Sequence, residues 1–373
     1  MKRIAILGST GSIGRQTLDV VRCFPERFHV VALTAGQNVE LLTKQITEFK
    51  PKYISALDEI RVQHAIPLSP EEISCHPDVD LVVIATSGKA GFKPTLSAIR
   101  AGKRIALANK EVLVMAGEII MAEARMHDVQ ILPLDSEHSA IWQCMRGEQR
   151  ESVSQIILTA SGGPFRNYSS EQLAAVTPEQ ALAHPTWRMG TKVTIDSATL
   201  MNKGMEIIEA RWLFDMPVSH ISVIVHHQSI IHSFLEFADG SIKAQLSPPD
   251  MHLPIQYALC YPERVDSGDF PKLDWGKLNA LDFNTPDLEK FPCLRLALDA
   301  IERGGTYPAV LCAADEIAVE LFLNRTIGFM DIPRLVEQTL EKHQGIRNYS
   351  LEDILATDAW ARDYTRDRGL SLK

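Results

Sequence analysis

Short, wholly apolar runs alternate with longer amphipathic ones through the first third of the chain, and this alternation restricts the fold more than any other feature. Ile4-Ala5-Ile6-Leu7 has no polar face, as expected of a strand in a parallel sheet covered on both sides. Gly8-Ser9-Thr10-Gly11-Ser12-Ile13-Gly14 follows, and then a stretch, 15–23, whose Leu18, Val20 and Val21 suit a helix. Further strands are expected at 30–33, 53–56, 80–86, 104–108 and 131–134, with helices at 92–100 and through 121. Strands alternating with helices imply an α/β unit, a Rossmann-like parallel sheet wound in both directions.

In the order strand, glycine turn, helix, the first loop suits a pyrophosphate: glycines let the backbone approach the anion, and the helix start offers unpaired amides. Its spacing is G-x-x-G-x-x-G, not the usual G-x-G-x-x-G, so a turn without ligand is the competing explanation. The tip of the second strand, Thr34-Ala35-Gly36-Gln37-Asn38, carries no acid; Glu40 is the first and falls within the next helix. An acid there would bind the ribose hydroxyls of NAD and repel a 2′-phosphate, so its absence favours NADP, although no arginine marks a phosphate pocket. Ligands of such sheets sit beyond the carboxyl ends of the strands. That rule sets Ser87-Gly88, Asn109-Lys110-Glu111 and Asp135-Ser136-Glu137 on one rim beside the glycine loop.

The chemistry collects in the middle of the chain. Asp135 and Glu137 are two apart, a spacing that turns both carboxylates to one side of an extended segment. Oxygen ligands suit a hard cation such as Mg²⁺ or Mn²⁺; a solvated turn explains the pair equally well on its own. The segment 196–206 is expected to open a helix running to about 214. Asn202 and Lys203 then share a surface with Glu206, the candidate third metal ligand, and Lys203, Asn202 and Ser197 offer donors to a phosphate or carbonyl oxygen. Ser161, before Gly162-Gly163-Pro164, suits an anion-binding turn. Ala183-His184-Pro185-Thr186-Trp187-Arg188-Met189-Gly190 reads as a lid over substrate or as an interdomain loop with a packed tryptophan. Strands at 221–225, 231–237 and 242–246, with one at 156–160, predict a second, mixed or antiparallel sheet, and Asp239-Gly240 marks a hairpin. The adjacent His226 and His227 diverge in an extended segment and are assigned to packing or subunit contacts. Residues 262–292 read as a linker, and helices at 294–302, 309–323, 332–342 and 350–362 as a small bundle.

At 373 residues two or three domains are expected. The boundaries drawn are 1–134 for nucleotide, 135–261 for catalysis, 262–292 as linker and 293–373 for the helical bundle. A net charge of -9 disfavours nucleic acid as a partner. No apolar stretch is long enough for a membrane span, no leader is visible, and the six scattered cysteines form no CxxC pair. A cytoplasmic protein with reduced thiols is expected.

Taken together the clusters resemble the 1-deoxy-D-xylulose 5-phosphate reductoisomerase family over nearly the whole chain. The resemblance rests on the glycine loop 8–14, Ala108-Asn109-Lys110-Glu111, Leu134-Asp135-Ser136-Glu137-His138, Ser161-Gly162-Gly163-Pro164-Phe165, His184-Pro185-Thr186-Trp187, the segment 196–206 and Ala313-Ala314-Asp315-Glu316. It implies NADPH contacts at Thr10, Gly11, Ser12, Ile13, Gly36, Gln37, Asn38, Asn109, Glu111 and Gly190. It implies metal ligation by Asp135, Glu137 and Glu206, with Mg²⁺ or Mn²⁺ expected and Co²⁺ an alternative. Substrate contacts are implied at Lys110, Ser136, Glu137, Ser161, His184, Ser197, Asn202, Lys203 and Glu206, with Ser161, Ser197, Asn202 and Lys203 around the phosphate. His184 and Trp187 would belong to a mobile flap. The implied catalytic set is Lys110, Asp135, Glu137 and Glu206, and the implied assembly a homodimer. The family reaction, viewed as retro-aldol cleavage and realdolisation followed by hydride transfer, turns the keto-sugar phosphate into 2-C-methyl-D-erythritol 4-phosphate. Where the family commonly has His-Pro-Gln-Ser, this chain has His226-His227-Gln228-Ser229. That difference is expected to affect local geometry or dimer contacts more than activity. A plain dehydrogenase and a nucleotide-binding regulatory protein are the competing classes; neither needs a carboxylate trio.

Overall fold

The computed structural model describes residues 1–57, 64–266, 268 and 270–372. The chain begins with β1 (Lys2–Leu7), α1 (Ser12–Cys23), β2 (Phe28–Thr34), α2 (Val39–Phe49), β3 (Tyr53–Ser55), β4 (Ile66–Pro67) and α3 (Pro70–Cys75). It continues through β5 (Leu81–Ile84), α4 (Phe92–Arg100), β6 (Arg104–Leu107), α5 (Lys110–Met126), β7 (Ile131–Pro133) and α6 (Ser136–Met145). Next come β8 (Val153–Ala160), α7 (Ser170–Ala174), α8 (Pro178–Leu182), α9 (Thr191–Thr199) and α10 (Met201–Leu213). The remainder is β9 (Ile221–Val225), β10 (Ile231–Phe237), β11 (Ile242–Leu246), α11 (His252–Cys260), α12 (Pro292–Arg303), α13 (Tyr307–Leu323), α14 (Asp331–Lys342) and α15 (Leu351–Leu370). Among the described residues no helix is long and apolar enough to cross a membrane.

Two compact units emerge, and neither is a continuous stretch of chain: 1–112, 118–142 and 250–272 form one, and 113–117, 143–249 and 273–373 the other. The first holds a parallel sheet in the order β4-β3-β2-β1-β5-β6-β7. Ile4, Ala5, Ile6 and Leu7 are all fully buried, as their lack of a polar face requires. After β4 the chain returns to lay β5 beside β1, so the strand order reverses between them. In such sheets the ligand crevice lies at this reversal, beyond the carboxyl ends of both strands. Residues 250–272 come back to complete this unit. Ile255, Ala258 and Leu259 of α11 join Ile4, Ile6, Leu18 and Val21 in one core, and Lys2 Nζ donates to the Leu259 carbonyl at 2.5 Å. His252 at the start of α11 stacks on Phe270 and reaches Asp250 (2.5 Å) and Asp19 of α1 (3.5 Å). The compact units therefore divide the chain elsewhere than at 134, 261 and 292.

The second unit holds a mixed sheet, β11-β10-β8-β9, in which β8 and β9 run parallel and the other pairs antiparallel. The helices α12 to α15 belong to the same unit, with α13 at their centre: Ala309 to Ala314 are all nearly or fully buried. The last helix reaches Leu370, well past the expected end at 362. Its extension is held by a buried Thr339–Thr365 hydroxyl contact of 2.9 Å and by Gly369, where a Cβ would meet Leu321. The expected linker is not slack either. Val225 and Asn284 form an isolated antiparallel bridge that ties its later part to β9. Long-range pairing of this kind leaves no trace in hydrophobic period.

Candidate active site

The first unit holds the glycine loop. Gly8 leaves β1 with φ +86, and a Cβ there would sit 2.5 Å from the Ala85 carbonyl oxygen after β5. Only glycine lets the loop pass the crevice this closely. Ser9, fully buried, donates to Gln45 Oε1 at 2.7 Å, while Gln45 Nε2 donates back to the Ser9 carbonyl at 2.9 Å. This lock from α2 was not foreseen; neither residue stands at a diagnostic spacing. Gly11 caps α1 without a side-chain bond, so the amides of the first turn, at Ser12, Ile13 and Gly14, face outward for an anion. Thr10, Ser12 and Ile13 are half-buried beside the exposed Gly11. Gly36, Gln37 and Asn38 are exposed at the tip of β2, and Asn38 caps α2 through the Leu41 amide at 3.1 Å. Glu40, the first acid after that tip, is turned to Lys44 (2.7 Å). Asn109 is buried: it caps α5 at the Val112 amide (3.3 Å) and donates to the Gly88 carbonyl (2.9 Å), tying the β5 and β6 loops together. Glu111 lies in the first turn of α5.

Lys110 and Asp135 meet at the same rim, Nζ to Oδ2 2.7 Å, and both are largely shielded. Burial pushes the Asp135 carboxyl up, but attraction to Lys110 and His138 outweighs it and holds the group far below the usual carboxylate range. Asp135 is therefore charged at neutral pH. The pair Asp135 and Glu137 does not lie on an extended segment as the spacing argument supposed. The Ser139 amide donates to the Asp135 carbonyl (2.8 Å) and α6 starts at Ser136, so the two carboxylates straddle a helix start, where amide dipoles favour negative charge. Ser136 Oγ donates to Glu137 at 2.6 Å.

The second unit supplies an oxygen-binding end. The strand β8 delivers Ser161, whose Oγ lies 3.0 Å from His184 Nε2 and 3.5 Å from Ser197 Oγ. His184 Nδ1 accepts the backbone amides of Thr186 (3.1 Å) and Trp187 (2.9 Å). Burial lowers its pKa, so the ring is neutral, and with Nδ1 accepting, the proton sits on Nε2 and is donated to Ser161. The Ser161 oxygen also accepts from the Gly163 amide (3.3 Å), so its hydroxyl proton is directed to Ser197 Oγ or to a ligand. Trp187 meets His232 edge to face at 6.0 Å; burial pushes that histidine down to about 4, so it is neutral too.

The segment 196–206 is not one helix start. Leu200 adopts the left-handed conformation, φ 62, and breaks it into α9 and α10. The break places Ser197 at the end of one helix and Asn202 and Lys203 in the first turn of the next, where backbone amides are also unpaired. A left-handed leucine is a tertiary imposition that local propensity does not announce. Lys203 and Asn202 both donate to Glu206, which is 1% exposed. Behind them, Lys192 of α9 bridges Asp196 (2.6 Å) and Asp315 of α13 (2.8 Å). Burial, reinforced by Asp315, raises the Asp196 pKa well above the ordinary value. Lys192 was missed, although its i,i+4 spacing to Asp196 was visible. Gly190 precedes α9 as its exposed cap residue.

The first unit has a Rossmann-like sheet with an acid-free second strand and the charged Asp135 at its rim, and the second a buried carboxylate among oxygen-binding donors; both suit the class of NADPH- and metal-dependent oxidoreductases. Family models for 1-deoxy-D-xylulose 5-phosphate reductoisomerase match residues 4–117, and models for its C-terminal regions match 131–214 and 246–364. The chain belongs to the 1-deoxy-D-xylulose 5-phosphate reductoisomerase family. It is 52% identical to that reductoisomerase from Prosthecochloris aestuarii, covering 97% of this chain and 98% of the relative. It is 53% identical to the one from Chlorobaculum tepidum, covering 98% and 99%. A crystal structure of DOX-P reductoisomerase with NADPH, fosmidomycin and magnesium is 41% identical, with a TM-score of 0.93 over 100% of this chain and 99% of that one. The Zymomonas mobilis enzyme in complex with NADPH is 42% identical, with a TM-score of 0.91 over 99% of both chains.

Proposed function

We infer that this chain rearranges 1-deoxy-D-xylulose 5-phosphate and reduces it with NADPH to 2-C-methyl-D-erythritol 4-phosphate, with Asp135, Glu137 and Glu206 as the ligands of a Mg²⁺ ion. The observation that carries the reaction is the whole-length similarity to the reductoisomerase solved with NADPH, fosmidomycin and magnesium. The donor set fits such an ion: all three side chains offer oxygen, Asp135 is held charged, and each shielded carboxylate is matched by a lysine ammonium where positive charge is wanted. The same oxygens accept Mn²⁺ or Co²⁺ in place of Mg²⁺. Bound there, the ion would polarise the ketone of the substrate, and NADPH would supply the hydride.

The protein's own part is to bind and orient. The glycine loop, Gly36 to Asn38, Asn109, Glu111 and Gly190 are assigned to NADPH. Ser161, Ser197, Asn202 and Lys203 are assigned to the phosphate, with Ser161 donating its hydroxyl proton because His184 already donates to its oxygen. Lys110 and Ser136 are assigned to the reacting oxygens of the substrate, and Trp187 in the turn 184–187 to a flap that excludes water. The cytoplasm is the proposed location. A homodimer is the proposed assembly, and Ile242 on the edge strand β11, 56% exposed, is apolar surface for a second copy.

Mixing the protein with substrate and Mg²⁺ should oxidise NADPH and form the branched polyol phosphate, with NADH much poorer. EDTA should stop turnover and excess Mg²⁺ restore it. Cofactor oxidation no faster than background, with product absent, would refute the reaction. A pH dependence also follows from His184. A histidine whose pKa is lowered in the folded state contributes its order above the ordinary value of 6.5 and loses it as pH falls through the shifted one. KM for the sugar phosphate is therefore expected to stay flat from about pH 8 to about pH 6.5 on account of this group and to rise below. A change in KM within that range that disappears in His184→Asn would contradict the neutral tautomer.

A further inference from the structure

A chain of hydrogen bonds reaches the Ser161 loop from a segment to which the proposed chemistry gives no task. Residues 280–284 lie along the end of β9. The Val225 amide donates to the Asn284 carbonyl at 2.8 Å, and the Asn284 amide donates back at 2.9 Å. His226 stacks on Phe283, ring centroids 5.0 Å apart, and its Nδ1 donates to the Asp282 carbonyl at 3.0 Å. Gln228 Nε2 donates to the Asp282 carboxylate at 2.8 Å. His227 stands between this strap and the loop, with Nδ1 3.3 Å from the Ser161 carbonyl oxygen and Nε2 3.2 Å from Asn284 Nδ2.

The chemistry of the partners orders the protons. A carbonyl oxygen can only accept, so Nδ1 carries hydrogen and donates to Ser161. In the neutral ring Nε2 is then an acceptor, so Asn284 presents its NH₂ to it. Asn284 is itself fixed by the bridge to Val225. The loop it serves is tightly bounded on its far side, since a Cβ on Gly163 would come within 2.8 Å of the Ser197 carbonyl oxygen.

We propose that His227, oriented by Asn284, is a positioning residue for the phosphate end of the site: it holds the Ser161 carbonyl and so aims the Ser161 hydroxyl. The proposal rests on the assignment of Ser161 to the phosphate. A proline at this position stiffens the backbone but offers no donor. Histidine makes the loop depend on a hydrogen bond instead, and couples it to residues 280–284.

The test measures KM for 1-deoxy-D-xylulose 5-phosphate, KM for NADPH, kcat and thermal melting in Ser161→Ala, His227→Leu, His227→Asn and Asn284→Ala. Asparagine can set its side-chain NH₂ near the place of Nδ1. His227→Leu should raise the substrate KM about 3- to 10-fold, the scale of one lost hydrogen bond, with kcat falling less and KM for NADPH unmoved. His227→Asn should recover most of that loss, and Asn284→Ala should show a smaller rise of the same kind. If Ser161→Ala raises the substrate KM but His227→Leu does not, positioning by His227 is overturned while the phosphate assignment stands. If Ser161→Ala leaves KM unchanged, the phosphate assignment fails and the proposal with it. Equal losses in His227→Leu and His227→Asn, or a parallel rise in KM for NADPH, would reduce His227 to packing and overturn the proposal.

Discussion

Replacing Glu206 with glutamine is expected to lower kcat by about 10²- to 10³-fold or more, while affinity for NADPH stays within about two-fold. Glu206 is buried in the second unit and receives hydrogen bonds from both Lys203 and Asn202. Glutamine keeps the shape and the partner for Asn202. It removes the negative charge that a divalent ion needs, and it takes the Glu206 carboxylate away from the Lys203 ammonium, only 5% exposed. Removing one partner of a buried ion pair costs about 3–5 kcal/mol. A loss of turnover could then come from unfolding alone. Urea unfolding of the single variant separates the two causes: an inactive protein that keeps a cooperative transition well above assay conditions has lost the ion site and not its fold. Tight NADPH binding by the inactive single variant completes the argument. A single variant that is folded, binds NADPH and still turns over at near the parental rate would remove Glu206 from the metal site. A plain dehydrogenase would survive that substitution.

The second large effect concerns stability. Lys192→Met is expected to cost about 3 kcal/mol or more, since it leaves Asp196 and Asp315 facing each other without their cation. The loss should depend on pH with a definite sign. Asp196 already has a raised pKa in the folded state, through burial and then Asp315, and losing the ammonium raises it further. A carboxyl raised in this way is best tolerated at low pH, where it is protonated in both states, and it destabilises the fold as pH rises through the folded-state value. Unfolding at several pH values should therefore show the deficit of Lys192→Met shrinking toward acid. A deficit independent of pH would mean that the lysine acts through its methylene packing. Because α9 carries Ser197, substrate KM should rise with the loss of order, which gives the helical C-terminal segment a part in binding through Asp315.

Much of this architecture was legible. The strands of the first unit announce themselves because a strand covered on both faces must be apolar throughout, and Ile4 to Leu7 are. The glycine loop was readable because the backbone of β1 passes so close to Ala85 that Gly8 has no substitute. The candidate residues were legible as polar clusters at strand ends and, as a set, through family resemblance. What stayed hidden depends on distant partners. Leu200 is forced left-handed by the packing around it, so the break that places Ser197, Asn202 and Lys203 has no local signal. The strap at 280–284 looked like a linker because its order comes from β9, some 60 residues earlier. His227 looked like packing for the same reason. Lys192 is different: its spacing to Asp196 was readable, and only the burial of Asp196 and Asp315 made the pair matter.

The return of residues 250–272 to the first unit bears on how the chain is made. The ribosome delivers β1 through β7 long before α11, yet Leu18 and Val21 of α1 share their core with Ile255, Ala258 and Leu259. The nucleotide unit cannot close when its sheet is complete; its last piece emerges only after the whole four-stranded sheet of the other unit has been synthesised. A nascent chain stopped near residue 134 carries an open apolar flank on α1, a surface for chaperones or for aggregation. Each unit is assembled from separated stretches of chain, so neither corresponds to one continuous segment of the gene.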